Sequence, residues 1–185
     1  MFSIALDADA KTRERRELLL KTAKRYNCRK ALMTNYPHEE GMKFVNKLRN
    51  ETGMDITLAE RKSISKKNKE YWKSIGVLAV DRVDIINLIP TDKYDLLDLD
   101  FCGGLFRNQV EAIEANNYWK IIFLKISNKP RDKAGKLRAI PKGIHIQEWI
   151  NGWCQKNGWY CQVNPIPYMR GSKGLWFYSF VLRRD

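Results

Sequence analysis

The feature that most constrains this chain is its alternation of short β-rich runs with amphipathic helical stretches. Residues 30–35, 54–60, 77–80, 94–100 and 119–126 read as strands; the last of these, Trp119-Lys-Ile-Ile-Phe-Leu-Lys-Ile126, is the strongest. Between them, 38–50, 63–75 and 106–116 carry apolar residues at helical spacing, and 84–89 reads as a short helical turn before Pro90. A further helix is predicted over 144–157 and one strand over 159–168, interrupted by Pro165 and Pro167. A turn over 169–174 and a final strand over 175–182 follow. Strands that alternate with helices pair in parallel, because the chain must cross back over the sheet each time. The last two strands are joined by a short glycine-bearing turn, so one of them must run antiparallel. The expected fold class is α/β, a three-layer sheet, mostly parallel with an antiparallel C-terminal strand. Residues 1–28 read as an N-terminal extension holding a helix from Thr12 to about Asn27, with frayed residues or a short cap ahead of it, and residues 29–185 as the domain proper.

Charge narrows the partners. The chain carries 34 basic and 21 acidic residues, a formal charge of +13. Residues 1–76 hold 18 basic and 10 acidic residues, 77–114 hold 3 and 8, and 115–185 hold 13 and 3. A domain this basic favours a polyanion, and nucleic acid is the expected partner. No apolar run approaches the ~20 residues of a membrane span, so no membrane partner is expected. Cys28, Cys102, Cys154 and Cys161 form no C-x-x-C pair, and neither His38 nor His145 lies at zinc spacing from them; no metal site is expected. Without a secretion signal, the cysteines are expected as reduced thiols and the protein as cytoplasmic or otherwise intracellular.

Five strand–helix units closed by a terminal hairpin resemble the order of class I S-adenosylmethionine-dependent methyltransferases, over roughly residues 29–184. The resemblance implies a seventh-type antiparallel strand beside the fifth, supplied here by 175–182. It implies S-adenosylmethionine as cofactor and a loop after the first strand that approaches it. That loop is Thr34-Asn-Tyr-Pro-His-Glu-Glu-Gly41, with one glycine where the family has several, a divergent cofactor loop. By the same match, Asn35, Tyr36 and Pro37 line the cofactor, and Glu60 at the end of the second strand accepts the ribose hydroxyls. Asp81 and Asp84 compete for the place beside the adenine, and Asp84 is the one assigned.

The fourth strand ends in Asp98-Leu-Asp-Phe-Cys-Gly-Gly104. Matched to the base-modifying members, Asp100 and Phe101 are the catalytic candidates, the carboxylate binding the amine and the ring stacking on the base. Asp98 is expected on the face of Asp100 and deeper in the sheet. The loop after the fifth strand supplies Lys129, Arg131, Lys133, Lys136, Arg138 and Lys142, and the final hairpin Arg170 and Lys173, as a phosphate-contacting set. Trp149, Trp153, Trp159, Tyr160 and Trp176 offer rings on which bases could stack, but their helical and strand spacings make most of them core. The implied activity is methyl transfer to nucleic acid, RNA rather than DNA, since so small a chain reaches an exposed base most easily. The alternative is a catalytically inactive Rossmann-like module that binds nucleic acid or protein.

Overall fold

Among the described residues fifteen elements follow one another, with strands and helices alternating from Lys30 to Lys156. A computed structural model describes the backbone of residues 2–101, 104–127, 137–163, 168–170 and 175–184, and the side chains of 12–101, 104–126, 137–161 and 180–184. Helix α1 (Phe2–Arg25) leads into β1 (Lys30–Thr34), α2 (Glu39–Thr52), β2 (Asp55–Glu60), α3 (Lys66–Ser74) and β3 (Leu78–Asp81). Then come α4 (Ile85–Leu88), a 3-10 turn (Ile89–Thr91), β4 (Leu96–Phe101), α5 (Arg107–Ala115) and β5 (Ile121–Ser127). Helix α6 (Ile146–Lys156) precedes β6 (Tyr160–Val163), β7 (Tyr168–Arg170) and β8 (Leu175–Arg183).

Two of these differ from expectation. Helix α1 begins at Phe2, ten residues before Thr12, so the stretch read as frayed is helical. The strand expected over 159–168 is two strands, β6 and β7, on either side of the two prolines, and β7 takes in Met169 and Arg170, where the sequence predicts a turn. A proline donates no ladder hydrogen bond, so a continuous strand through Pro165 and Pro167 is disfavoured.

The sheet runs β3-β2-β1-β4-β5-β8-β6, with β7 also paired to β8. Pairs β1–β2, β1–β4, β2–β3 and β4–β5 are parallel, and β8 lies antiparallel against β5, β6 and β7. The expected antiparallel strand therefore sits beside the fifth. The strand order reverses between β1 and β4, and in open parallel sheets the crevice over such a reversal, at the carboxyl ends, is where ligands bind.

Each face of the sheet has its own core. On one, Leu19 and Ala23 of α1, Val45 and Leu48 of α2 and Trp72 of α3 pack on Ala31, Met33, Ile56, Leu58, Leu96 and Phe123. The α1 residues share this core with the domain proper. On the other, Ile85, Ile113, Ile150 and Trp153 from α4 to α6 pack on Leu97, Leu99, Ile122 and Leu124. Alternation along β4 thus sends Leu97, Leu99 and Phe101 to the α4–α6 side and Leu96, Asp98 and Asp100 to the α1–α3 side. No described helix is long and apolar enough to cross a membrane.

Candidate active site at the strand reversal

Because β1 to β5 are parallel, everything that follows them opens on one edge. Asn35, Tyr36 and Pro37 follow β1, Glu60 ends β2, Asp84 follows β3, and Asp100 stands at the tip of β4. Thr34 ties the two central strands where their ladder stops. Its hydroxyl donates to the Asp98 carbonyl at 3.2 Å and accepts from the Asp100 N–H at 3.0 Å.

Asn35 and Glu60 meet directly. The Asn35 amide donates from Nδ2 to Glu60 Oε2 at 3.3 Å, and Glu60 Oε1 accepts from the Lys62 N–H at 3.0 Å. Asn35 Oδ1 is buried and has no hydrogen-bond partner. Such an atom loses its hydration on folding with no donor to replace it, which is uncommon unless a ligand supplies the donor.

Tyr36 does something glycine-rich loops do not. Its ring packs on Phe44 of α2, with centroids 5.9 Å apart, and joins the core on the α1–α3 side. Its hydroxyl donates to Asp98, which also receives the Arg15 guanidinium from α1; Arg15 lies 3.5 Å from the Tyr36 oxygen as well. Asp98 is 2% exposed. A carboxylate so deep in the sheet is tolerable only with a cation and a donor on it, and these two side chains supply both. Burial works to lower the Arg15 pKa, but the pull of Asp98 outweighs it and the net shift is upward. Burial pushes the Tyr36 phenol well above its usual range, and the Asp98 charge pushes it further. Arginine and phenol therefore both keep their protons across the physiological range. The single loop glycine serves this arrangement: a Cβ on Gly41 would stand 2.7 Å from Tyr36 Cβ. Gly41 makes room for the tyrosine.

Asp100 is held by Lys125 of β5 at 2.7 Å. Asp84 accepts from the Ile86 N–H at 3.4 Å as the cap of α4 and pairs with Arg61 at 2.7 Å. Asp81 pairs with Lys69 at 2.8 Å and accepts from Ser63 and Ile64, an arrangement that fixes a turn. Phe101 departs from its expected role as a stacking platform. It lies on the face opposite Asp100, is buried, and packs with Leu99 and Ile126 in the core. Strand alternation dictates this, since neighbours in a strand cannot share a face.

Of the expected phosphate contacts, Lys129, Arg131, Lys133, Lys136 and Lys173 lie outside the described residues, as does the side chain of Arg170. Arg138 bridges antiparallel to Phe106, with the Arg107 N–H on the Leu137 carbonyl and the Ala139 N–H on the Leu105 carbonyl, both at 3.0 Å. This stitch ties the returning limb of the loop after β5 to the β4–α5 connection. Lys142 is exposed a few residues on. The residue that sequence reasoning missed is Arg15. It falls four residues before Leu19 and eight before Ala23, both buried, so it sits on the buried stripe of α1.

No protein-family model matches the chain, and no curated protein matches it. Solved structures do match in fold. An S-adenosylmethionine-dependent methyltransferase from Clostridium acetobutylicum superposes with a TM-score of 0.56 at 11% identity, over 96% of this chain and 94% of that one. The methyltransferase domain of bacterial CtHen1-C gives 0.52 at 12%, over 91% and 96%. The 1,6-didemethyltoxoflavin-N1-methyltransferase of Burkholderia thailandensis, solved with 1,6-didemethyltoxoflavin and S-adenosylhomocysteine bound, gives 0.50 at 12%, over 99% and 84%. With this strand order, its reversal between β1 and β4 and its antiparallel β8, the chain has the Rossmann-like fold of class I S-adenosylmethionine-dependent methyltransferases.

Proposed function

We propose that the chain is an S-adenosylmethionine-dependent methyltransferase acting on nucleic acid, on RNA rather than duplex DNA. The observation that carries the cofactor half is the Asn35–Glu60 pair at the strand reversal, with Asn35 Oδ1 buried and lacking a donor. A ligand hydroxyl or ammonium satisfies that oxygen, and Glu60 at the end of β2 is suited to accept the ribose hydroxyls of an adenosine. Tying the Tyr36 ring back onto Asp98 keeps a bulky side chain on the α1–α3 side of the sheet, so the loop can pass a ligand closely with little glycine. When bound, the cofactor supplies a methyl group on a sulfonium.

Asp100, steadied by Lys125, accepts a hydrogen bond from the substrate group and orients it; rate then comes mainly from proximity and alignment. The nucleic-acid half rests on the charge of +13 and on Arg138 and Lys142, carried by the limb stitched to the β4–α5 connection.

Calorimetric titration with S-adenosylhomocysteine tests the first half. Micromolar binding, weakened about tenfold or more in Glu60→Ala and in Asn35→Ala, is expected. No binding to the wild type overturns it. Binding of single-stranded RNA that weakens steeply between 50 and 200 mM salt, as ~3 or more phosphate contacts require, is expected for the second half. Salt-independent binding, or none, overturns that half alone.

A further inference from the structure

The opposite edge of the sheet carries a site of different chemistry. Between the ends of α5 and α6 and the start of β6 lies a cavity of about 410 Å³, bordered by Glu114, Asn117, Asn157, Trp159, Tyr160 and Arg184. That volume lies within the ~300–1,000 Å³ of small-ligand sites. The Arg184 guanidinium carbon sits 4.1 Å from the Trp119 ring centroid and 4.9 Å from that of Trp159. Arg184 makes no ion pair among the described residues, and its Nε is buried without a hydrogen-bond partner. A cation held on two indoles at a cavity wall, with no carboxylate bound to it, is equipped to receive an anion.

The other walls say which kind of anion. Glu114 Oε1 accepts from Trp153 Nε1 at 2.8 Å and from the Asn157 amide at 3.4 Å, so its carboxylate is fixed in place. A fixed carboxylate repels a bare phosphate or an acidic peptide, but it accepts well from the amino group of a nucleobase. Asparagine amides pair with base edges in the same way. Tyr160 at the rim is 54% exposed, and Arg183 lies 5.3 Å from its ring centroid. An exposed ring beside a cation is the unit on which single-stranded nucleic acids stack.

We propose that this cavity binds one nucleoside monophosphate unit, with its phosphate on Arg184, its base edge on Glu114 and the asparagines, and its base face on Tyr160. The unit comes either from a free nucleotide or from a single strand laid along this edge. The site stands apart from the methyl-transfer crevice, which opens at the other end of the strands, although it shares the polyanionic partner proposed above.

The experiment has two arms on the full chain, read by calorimetry with AMP and UMP and by fluorescence anisotropy with a labelled single-stranded RNA octamer. Titration with S-adenosylhomocysteine runs alongside to report the crevice separately. In whichever arm binds, Tyr160→Ala and Arg184→Gln are expected to lose about tenfold or more in affinity, and Tyr160→Phe to retain it. Loss of monophosphate binding assigns the free nucleotide, and loss of octamer binding alone assigns the strand. A wild type that binds neither overturns the proposal, as does affinity kept within about twofold in Tyr160→Ala. Tyr160 is exposed enough that its variants keep the fold even where Arg184→Gln does not.

Discussion

The Arg15–Asp98–Tyr36 cluster near the carboxyl edge and the tryptophan stack at the amino edge each hold an arginine against the sheet, but by different forces. At the carboxyl edge Arg15 is held by a buried carboxylate and a hydroxyl, directional contacts that fix where the loop after β1 runs. At the amino edge Trp119, Trp159 and Trp153 meet edge to face, with centroids 4.7 and 5.1 Å apart, and Arg184 lies on the first two. Ring packing there is worth its buried area and a modest orientational gain, with few bonds to misplace. The edge that must present a precise crevice uses charge, and the edge that closes the core uses area.

This contrast breaks if the two clusters respond alike to substitution. Trp119→Ala is expected to give the largest loss, about 3–5 kcal/mol, since it opens a cavity in a ring cluster and removes the indole bond to the Ile113 carbonyl. Urea denaturation measures it, and no second replacement among its neighbours should restore the loss. Arg15→Leu is expected to lose about 3 kcal/mol, because Asp98 is left buried with Tyr36 as its remaining described partner. Here a second change should help: Arg15→Leu with Asp98→Leu recovers much of the loss, as apolar replacements of buried ion pairs often do. A double variant no better than the single one would mean that Arg15 contributes by packing rather than charge.

The smallest effect sharpens the comparison at the entry to β4. Asp95, just before the strand, accepts from the Arg29 and Lys30 N–H groups and pairs with Lys120 at 3.0 Å. Burial alone would raise its pKa, but these partners outweigh it and hold the carboxyl below the ordinary value. Its contribution is therefore full above the unfolded carboxylate pKa of about 3.9 and is lost as pH falls through the depressed folded value. Asp95→Asn should cost about 1 kcal/mol at pH 7. The difference from wild type, followed by thermal denaturation, should shrink as pH falls below about 4.

Much of this was legible because it is local. Period-two runs marked β1 to β5, and alternation alone placed Asp98 on the face of Asp100 and below it. The same rule, applied one residue further, would have sent Phe101 into the opposite core. The Asn35–Glu60 contact follows from two parallel strands ending side by side. What remained hidden is nonlocal. Arg15 and Asp98 are 83 residues apart, and in sequence Arg15 is one of several charges interspersed along the first helix. A signal did exist: three aspartates in and beside a central strand demand cations, and Arg15 is the charge on the α1 stripe that also carries Leu19 and Ala23. In sequence the amino-edge cavity shows only as the aromatic pair Trp159 and Tyr160, because its walls come from three separate segments, 114–117, 157–160 and Arg184.

Helix α1 has a consequence for the order of events during synthesis. Its two anchors lie far along the chain: Arg15 waits for Asp98, and Tyr26 waits for Arg183, which donates to its hydroxyl at 2.7 Å across 157 residues. A segment made early can meet α2 soon after synthesis, through Val45, Leu48 and the Lys24–Glu51 pair, but its last tie closes only when β8 exists, and such long closures are slow. Until β4 and β8 arrive, α1 is held by its neighbours in sequence alone, with the Arg15 charge still without its carboxylate.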